Sequence, residues 1–439
     1  MKLPTLRGTV MGLTLTTAAS GLMAQMPNLP TAAQTDPVAL GWMVGSPPPA
    51  DKVIRFADGS GYKFPQTRWS FSNFRQLIPT TQVSRGTGAP AALPRALRND
   101  LDAVSFVPLG KDTPMTWAQA FDANYTDGVV VLHKGRIVYE RYAGALKPEG
   151  QHISMSVTKS FFGTLGAMLV AEGKLDENAP VSRYVPELKD SAFGDATIRQ
   201  VLDMRTGLKY SENYADPQAE IWMHARAGGV LPRPLHYEGP QTFYEFLQTV
   251  QKEGQHGGDF AYKTVNTDVI GWVIRRVTGL SIGEVLSERI WSKLGMEQDA
   301  YFTVDSAGNE FAGGGLSAGL RDMARFGELL RNHGVWAGQQ IIPQAVIDDI
   351  RFNGDVLAFP VANFPTLNGW CYRNMWWVSN NAHGAYAARG IHGQAIYIDP
   401  KAEMVIARFG SHPLAANTHF DPTSLPAYHA VAQFLLKQG

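Results

Sequence analysis

The chain predicts an α+β fold: an antiparallel sheet flanked by helices, with an all-helical region inserted between the strands contributed by its two ends. Three observations predict it. An opening rich in Pro, Gly, Ala and Thr gives way near Asp127 to two apolar runs split by Lys134-Gly135. A series of segments with helical periodicity follows. Strand-like runs then return on either side of Asp399-Pro400, before a last helix. Strands, then helices, then strands make one sheet from both chain ends, and a site in such a layout falls in the groove between sheet and helices.

Residues 1–24 read as a signal peptide. Lys2 and Arg7 precede an apolar, small-residue run from Gly8 to Leu22, with Met23-Ala24 before Gln25. The run is short and rich in Thr, Ser and Gly, which disfavours a membrane span, although an uncleaved anchor is the plainer alternative. No cysteine follows it, so a lipoprotein is excluded. The segment predicts export to a periplasm or the exterior, with no stable membrane insertion after cleavage. Residues 25–100 are expected to form an extended arm wrapped on the main body, a domain of residues 101–439. Gly128–His133 and Arg136–Tyr142 predict a hairpin. A helix opening at Ser156 should stop near Glu172-Gly173. Further helices are expected over Thr197–Thr206, closed by Gly207, and over Asn266–Thr278, Ser281–Leu294 and Gly319–Gly334. The helical subdomain covers roughly 175–310. Ala385–Ile398 and Glu403–Phe409 predict a second hairpin, and His429–Gln438 a terminal helix.

The 439 residues suffice for a large core. Lys plus Arg and Asp plus Glu are each 39, with no basic patch, which argues against a nucleic-acid partner. The lone Cys371 cannot form an internal disulfide, and zinc-type Cys/His spacing is absent.

The chemistry centres on Ser156-Val157-Thr158-Lys159. On a helix, positions i and i+3 share a face, so the amine reaches the hydroxyl, the arrangement of an activated acyl-transfer nucleophile. About one Ser-x-x-Lys is expected by chance in such a chain, and Ser60-Gly61-Tyr62-Lys63 is a second match. It is flanked by glycines and followed by Phe64-Pro65, which cannot open a stable helix. After Ser156, by contrast, Phe161, Leu165, Met168 and Leu169 continue a helical pattern able to bury Lys159, and burial lowers a lysine's pKa toward that of a base. A serine N-cap with a solvated lysine one turn in remains open on these residues alone. Gly315-Leu316-Ser317-Ala318-Gly319 fits a nucleophile elbow, but no strand is expected before it, so Ser317 is expected to cap the next helix. Tyr262, just ahead of a helix, is the candidate proton relay, with an ordinary core aromatic as its alternative. An oxyanion hole needs two backbone N–H groups. Ser156 can supply one, and the glycine-flanked edge Arg389–Gln394 the other, with His392 either beside the substrate or simply structural.

With these residues in place, the chain from about Asp127 onward resembles the serine β-lactamase, penicillin-binding-protein and esterase superfamily. More specifically it is similar to the 6-aminohexanoate-dimer hydrolases and their carboxylesterase relatives. The similar stretches are Met155–Ser160, Val201–Met204, Asn266–Val269 and Gly390–Gln394, with Trp69–Phe71 and Val83–Arg85 in the arm. The resemblance implies a β-lactamase-like α/β sandwich that needs no metal or organic cofactor. It implies Ser156 as acylated nucleophile, Lys159 as base, Tyr262 as relay, and the N–H groups of Ser156 and Ile391 as oxyanion hole. It places Tyr214 on a loop over the substrate, Asn266 and His392 near it, and His429 as the C-terminal histidine of the pocket. Two motifs depart from true β-lactamases. Ala388-Arg389-Gly390 stands where Lys-Thr-Gly is usual, and Thr264 where the Asn of Tyr-x-Asn would be. The position matching an amine-holding acid in amide-cleaving members is Ala225, which favours esters over linear amides. The reading is therefore a hydrolase of small esters, and secondarily of small linear amides. The alternatives are a penicillin-binding protein or β-lactamase, and a non-catalytic sensor that keeps the fold.

Overall fold

The computed structural model describes residues 29–437. The expected signal segment 1–24 and Gln438 lie outside them. From Thr31 onward the chain forms one compact unit.

In chain order, β1 (Thr80–Val83) leads to α1 (Trp117–Ala123), then to the hairpin β2 (Thr126–His133) and β3 (Arg136–Tyr142), and β4 (Gln151–Ile153). Helices α2 (Val157–Ala171), α3 (Ile198–Leu202), α4 (Glu220–Ala227), α5 (Phe243–Thr249), α6 (Val265–Thr278) and α7 (Ile282–Arg289) follow. The chain returns through β5 (Ala300–Thr303), β6 (Leu316–Gly319), α8 (Leu320–Arg331) and α9 (Gln344–Phe352). It closes with β7 (Cys371–Arg373), β8 (Trp376–Val378), β9 (Tyr386–Gly390), β10 (Gln394–Asp399), β11 (Met404–Gly410) and α10 (Asp421–Leu436). The main sheet is antiparallel, in the order β7-β8-β9-β10-β11-β2-β3, so both chain ends build it as expected. Where strands from the two chain ends meet, β2 and β11 pair Val131 with Ile406 and Val130 with Ala407.

Period-two alternation splits this sheet between two cores. Val129 and Val131 point to α1 and α10, against Trp117, Phe121 and Val431. Val130 and Leu132 point to the other side, with Phe161 of α2 and Phe326 of α8. Each fully buried side chain of this kind contributes roughly 1.5–3 kcal/mol. Helix α2 is buried over Val157–Leu169, so it has no solvent stripe. Gly163 permits that depth: a Cβ there would lie 1.9 Å from the Asn374 carbonyl oxygen in the β7–β8 turn.

The structure departs from expectation in several places, and the terminal helix opens at Asp421 rather than His429. The arm is wound rather than extended, with four 3-10 turns and the helical turn Thr67–Ser70 before β1 pairs with β5. Its Arg68 forms a buried ion pair with Asp127 at 3.3 Å. The run Ala385–Ile398 is two strands, because the chain turns at Ile391–Gly393, where His392 adopts φ 61°. The Thr197 helix stops at Leu202, where Met204 enters the left-handed region at φ 50°. Ser317 does not cap a helix; it lies buried in β6 of a second antiparallel sheet, β1-β5-β6-β4, and Gly319 is the N-cap.

Candidate active site

The Ser156 turn is assembled from short polar side chains. Met155 has φ 47°, a left-handed conformation costing on the order of 1–3 kcal/mol that persists only where its surroundings enforce it. Ser154 Oγ donates to the Leu316 carbonyl at 2.7 Å, and the Leu316 N–H donates to Thr158 Oγ1 at 3.2 Å. Ser160 Oγ donates to the Met375 carbonyl at 2.7 Å. The start of β6 and the β7–β8 turn are thus fastened to either side of the helix start. Ser156 itself makes no capping bond. Its Oγ accepts instead from Lys159 Nζ at 2.9 Å, and the same Nζ donates to the Gly313 carbonyl. Lys159 is 1 % exposed and Ser156 8 %. The lysine is therefore not a solvated residue beside a capping serine.

Burial lowers the Lys159 pKa to about 8, against the opposing pull of the Glu212 and Asp268 carboxylates. Both acids are held in place. Asp268 accepts from the Gly313 N–H at 2.9 Å and lies 3.1 Å from His224 Nε2 in a fully enclosed pair. The residue that receives the ammonium through its carbonyl is thus pinned through its own N–H. The Glu212 carboxylate accepts from the Tyr214 hydroxyl at 2.6 Å, the Thr264 hydroxyl at 2.7 Å and the Thr264 N–H at 2.5 Å. Thr264, in the place of the missing Asn, thereby holds a carboxylate beside the site.

Tyr262 lies over the pair, with Lys159 Nζ 5.2 Å from its ring centroid, and lines the same cavity as Ser156. Burial, reinforced by Glu212, pushes its phenol far above the ordinary value, so it is a neutral proton donor. The ring stacks on Trp377 at 5.4 Å. The edge of β9 passes beside the serine: a Cβ on Gly390 would sit 3.0 Å from the Ser156 nitrogen and 2.8 Å from the Ser154 carbonyl oxygen. Only glycine allows this approach, which brings Ile391 to the cavity.

Ser156, Tyr262, Tyr214 and Ile391 open on one cavity of about 700 Å³. Phe260, Phe364, Leu367 and Trp377 make its apolar wall. Arg389, bonded to Asp421 at the start of α10, adds a guanidinium to the same lining. Hydrophobic walls with a few convergent polar groups are the usual make-up of a small-molecule site.

Other expected site residues are not brought there. Asn266 is fully buried, with its amide spent on Thr206 at 2.9 Å and the Lys263 carbonyl at 3.0 Å. His392 bonds the His412 carbonyl at 2.6 Å and meets the edge of Phe71, and burial lowers its pKa to about 4. His429 projects from α10 to stack near His383, and the C-terminal segment lines the cavity with Asn417, Thr418 and Asp421 instead. Ala225 also lies outside the lining, and the carboxylates that do line it are Glu212 and Asp421. Sequence reasoning missed Glu212, Gly313 and Arg389. The run Gly313-Gly314-Gly315 was a usable signal of close backbone approach, whereas Glu212 stands in a polar loop with no periodicity to mark it.

The family described as Beta-lactamase matches residues 117–418. The chain belongs to that family. A 6-aminohexanoate-dimer hydrolase of Paenarthrobacter ureafaciens is 35 % identical over 357 residues, covering 81 % of this chain and 88 % of the relative. A Bacillus anthracis structure assigned to the 6-aminohexanoate-dimer hydrolases superposes with a TM-score of 0.78 at 34 % identity, over 86 % of this chain and 96 % of that one. EstCE1, a hydrolase with promiscuous acyltransferase activity, shares the fold at 18 % identity and TM-score 0.56, over 72 % and 96 % of the two chains. The protein is a β-lactamase-related serine hydrolase with a β-lactamase-like α/β sandwich. Among the described residues no helix is long and apolar enough to cross a membrane.

Proposed function

We propose that the protein hydrolyses short-chain carboxylic esters, and small linear amides of the 6-aminohexanoate-dimer type, through an acyl-enzyme on Ser156. The observation that carries this reading is the 2.9 Å contact between Ser156 Oγ and a buried Lys159 whose pKa is lowered to about 8. A neutral Lys159 takes the Oγ proton as Oγ attacks the substrate carbonyl. The backbone N–H groups of Ser156 and Ile391 stabilise the oxyanion. Tyr262 then protonates the departing alkoxide or amine and is reprotonated from the Lys159 ammonium, so the proton taken from Ser156 leaves with the alcohol or amine. Water repeats the sequence on the acyl-enzyme, releases the acid and restores Ser156. Tyr214, oriented by Glu212, faces the leaving group, and the aromatic wall accepts the alkyl chain. Export to the periplasm or exterior is proposed on the N-terminal segment alone.

Hydrolysis of p-nitrophenyl butyrate by wild type and Ser156→Ala tests the reading. A fall of about 10⁴-fold or more in kcat/KM is expected, and equal rates sink it. Parallel assays with the aminohexanoate dimer and nitrocefin set ester, linear-amide and lactam turnover apart.

A further inference from the structure

Two turns along α10 from Asp421, three side chains converge that the hydrolytic reaction does not use. His383 precedes β9, Asp399 ends β10, and His429 lies in the middle of α10. One ligand atom from each lies within 4.8 Å of the other two. Asp399 is wholly buried and His383 nearly so, and His383 Nδ1 meets Asp399 Oδ2 at 2.8 Å. The other Asp399 oxygen accepts from the Ala402 N–H at 2.9 Å, which fixes the carboxylate. The two imidazole rings stand 4.8 Å apart. His429 Nε2 is engaged by Gln433 at 3.0 Å, but His429 Nδ1 is buried and has no hydrogen-bond partner. A buried ring nitrogen without a partner is costly unless something else fills its lone pair.

We propose that His383, Asp399 and His429 bind a divalent transition-metal ion of the zinc class. Two imidazoles and a carboxylate are a borderline-soft nitrogen and oxygen set, suited to zinc, copper or nickel rather than to magnesium or calcium. Ligands at roughly 2.0–2.2 Å from a tetrahedral ion stand a little over 3 Å from one another, so atoms within 4.8 Å of one another must close by only about an ångström or two. The site joins α10 to the β10 end of the main sheet. The same helix begins at Asp421, which holds Arg389 in the catalytic cavity, eight residues or roughly 12 Å away along the axis. A bound ion thus clips the helix whose first residue, Asp421, lines the active-site cavity.

The test is a Zn²⁺ titration of the untagged full chain by calorimetry, with thermal melting in parallel. One equivalent bound with Kd of about 10 μM or tighter is expected, with a rise in Tm of several degrees that Mg²⁺ does not reproduce. His429→Gln and His383→Gln should each weaken binding more than tenfold, while His333→Gln, at an exposed position, should not. Circular dichroism of each variant checks that it folds, and Co²⁺ absorption gives a second readout of tetrahedral coordination. Absence of one-equivalent binding below 100 μM overturns the proposal, and so does binding that survives both His383→Gln and His429→Gln.

Discussion

The molecule carries two Ser-x-x-Lys tetrapeptides with opposite fates. In Ser60–Lys63 the serine hydroxyl closes a local loop, accepting from the Arg55 N–H at 2.8 Å and donating to the Arg55 carbonyl at 3.1 Å. Lys63 is exposed and reaches only the Asp58 carbonyl at 3.5 Å. In Ser156–Lys159 the lysine is enclosed and spans the serine and Gly313. The tetrapeptide does not make a base. Enclosure does, because it withdraws water from the ammonium and favours the neutral amine, while the Gly313 carbonyl fixes the nitrogen beside the serine.

Substitutions that reverse this contrast should be felt in order of how directly they touch it. Lys159→Met keeps the helix apolar and removes the base, so kcat for p-nitrophenyl butyrate should fall about 10³-fold, whereas Lys63→Met should leave it within about twofold. Steady-state kinetics on the two variants measures the contrast directly. Gly390→Ala forces β9 away from the Ser156 nitrogen. A fall of about 10–100-fold in kcat is expected with KM less affected, since one oxyanion donor is displaced. Glu212→Gln is smaller in rate and clearer in pH. The neutral lysine is the active form, so activity rises with pH through the Lys159 pKa of about 8. Glu212 favours the ammonium, so removing its charge moves that rise to lower pH. A pH profile whose midpoint stays or moves upward contradicts the assigned role. Ser60→Ala sits at the far end of the scale, with unchanged kinetics.

Much of the fold was legible because it is local. The β2–β3 hairpin showed in its alternation and turn, and α2 in its apolar period and glycine stop. The β4–β6 ladder was not, since Leu316-Ser317-Ala318-Gly319 has little strand character and is a strand only through partners far away in sequence. The short strands β7 and β8 hid for the same reason. In the site, Ser156, Lys159 and Tyr262 were found because a motif or a resemblance pointed at them. Glu212 and Arg389 were not, because their importance comes from what folding sets beside them. His429 misled because a histidine near the C-terminus can leave either face of its helix, and this one faces His383 rather than the cavity.

The buried Arg68–Asp127 pair also bears on where the folding unit ends. The stretch matched by the family, residues 117–418, looks like a domain that could be cut out and expressed. Excision would remove Arg68 from Asp127, which is 0 % exposed and would keep only His152 Nε2 at 3.3 Å, a loss of up to about 3–5 kcal/mol. It would also strip α10 from the outer face of the sheet, leaving Val129, Val131 and Ile406 open to other chains. The expected product of such a truncation is inclusion bodies, and the smallest soluble form is one that retains the arm from before Arg68 and the terminal helix through Leu435.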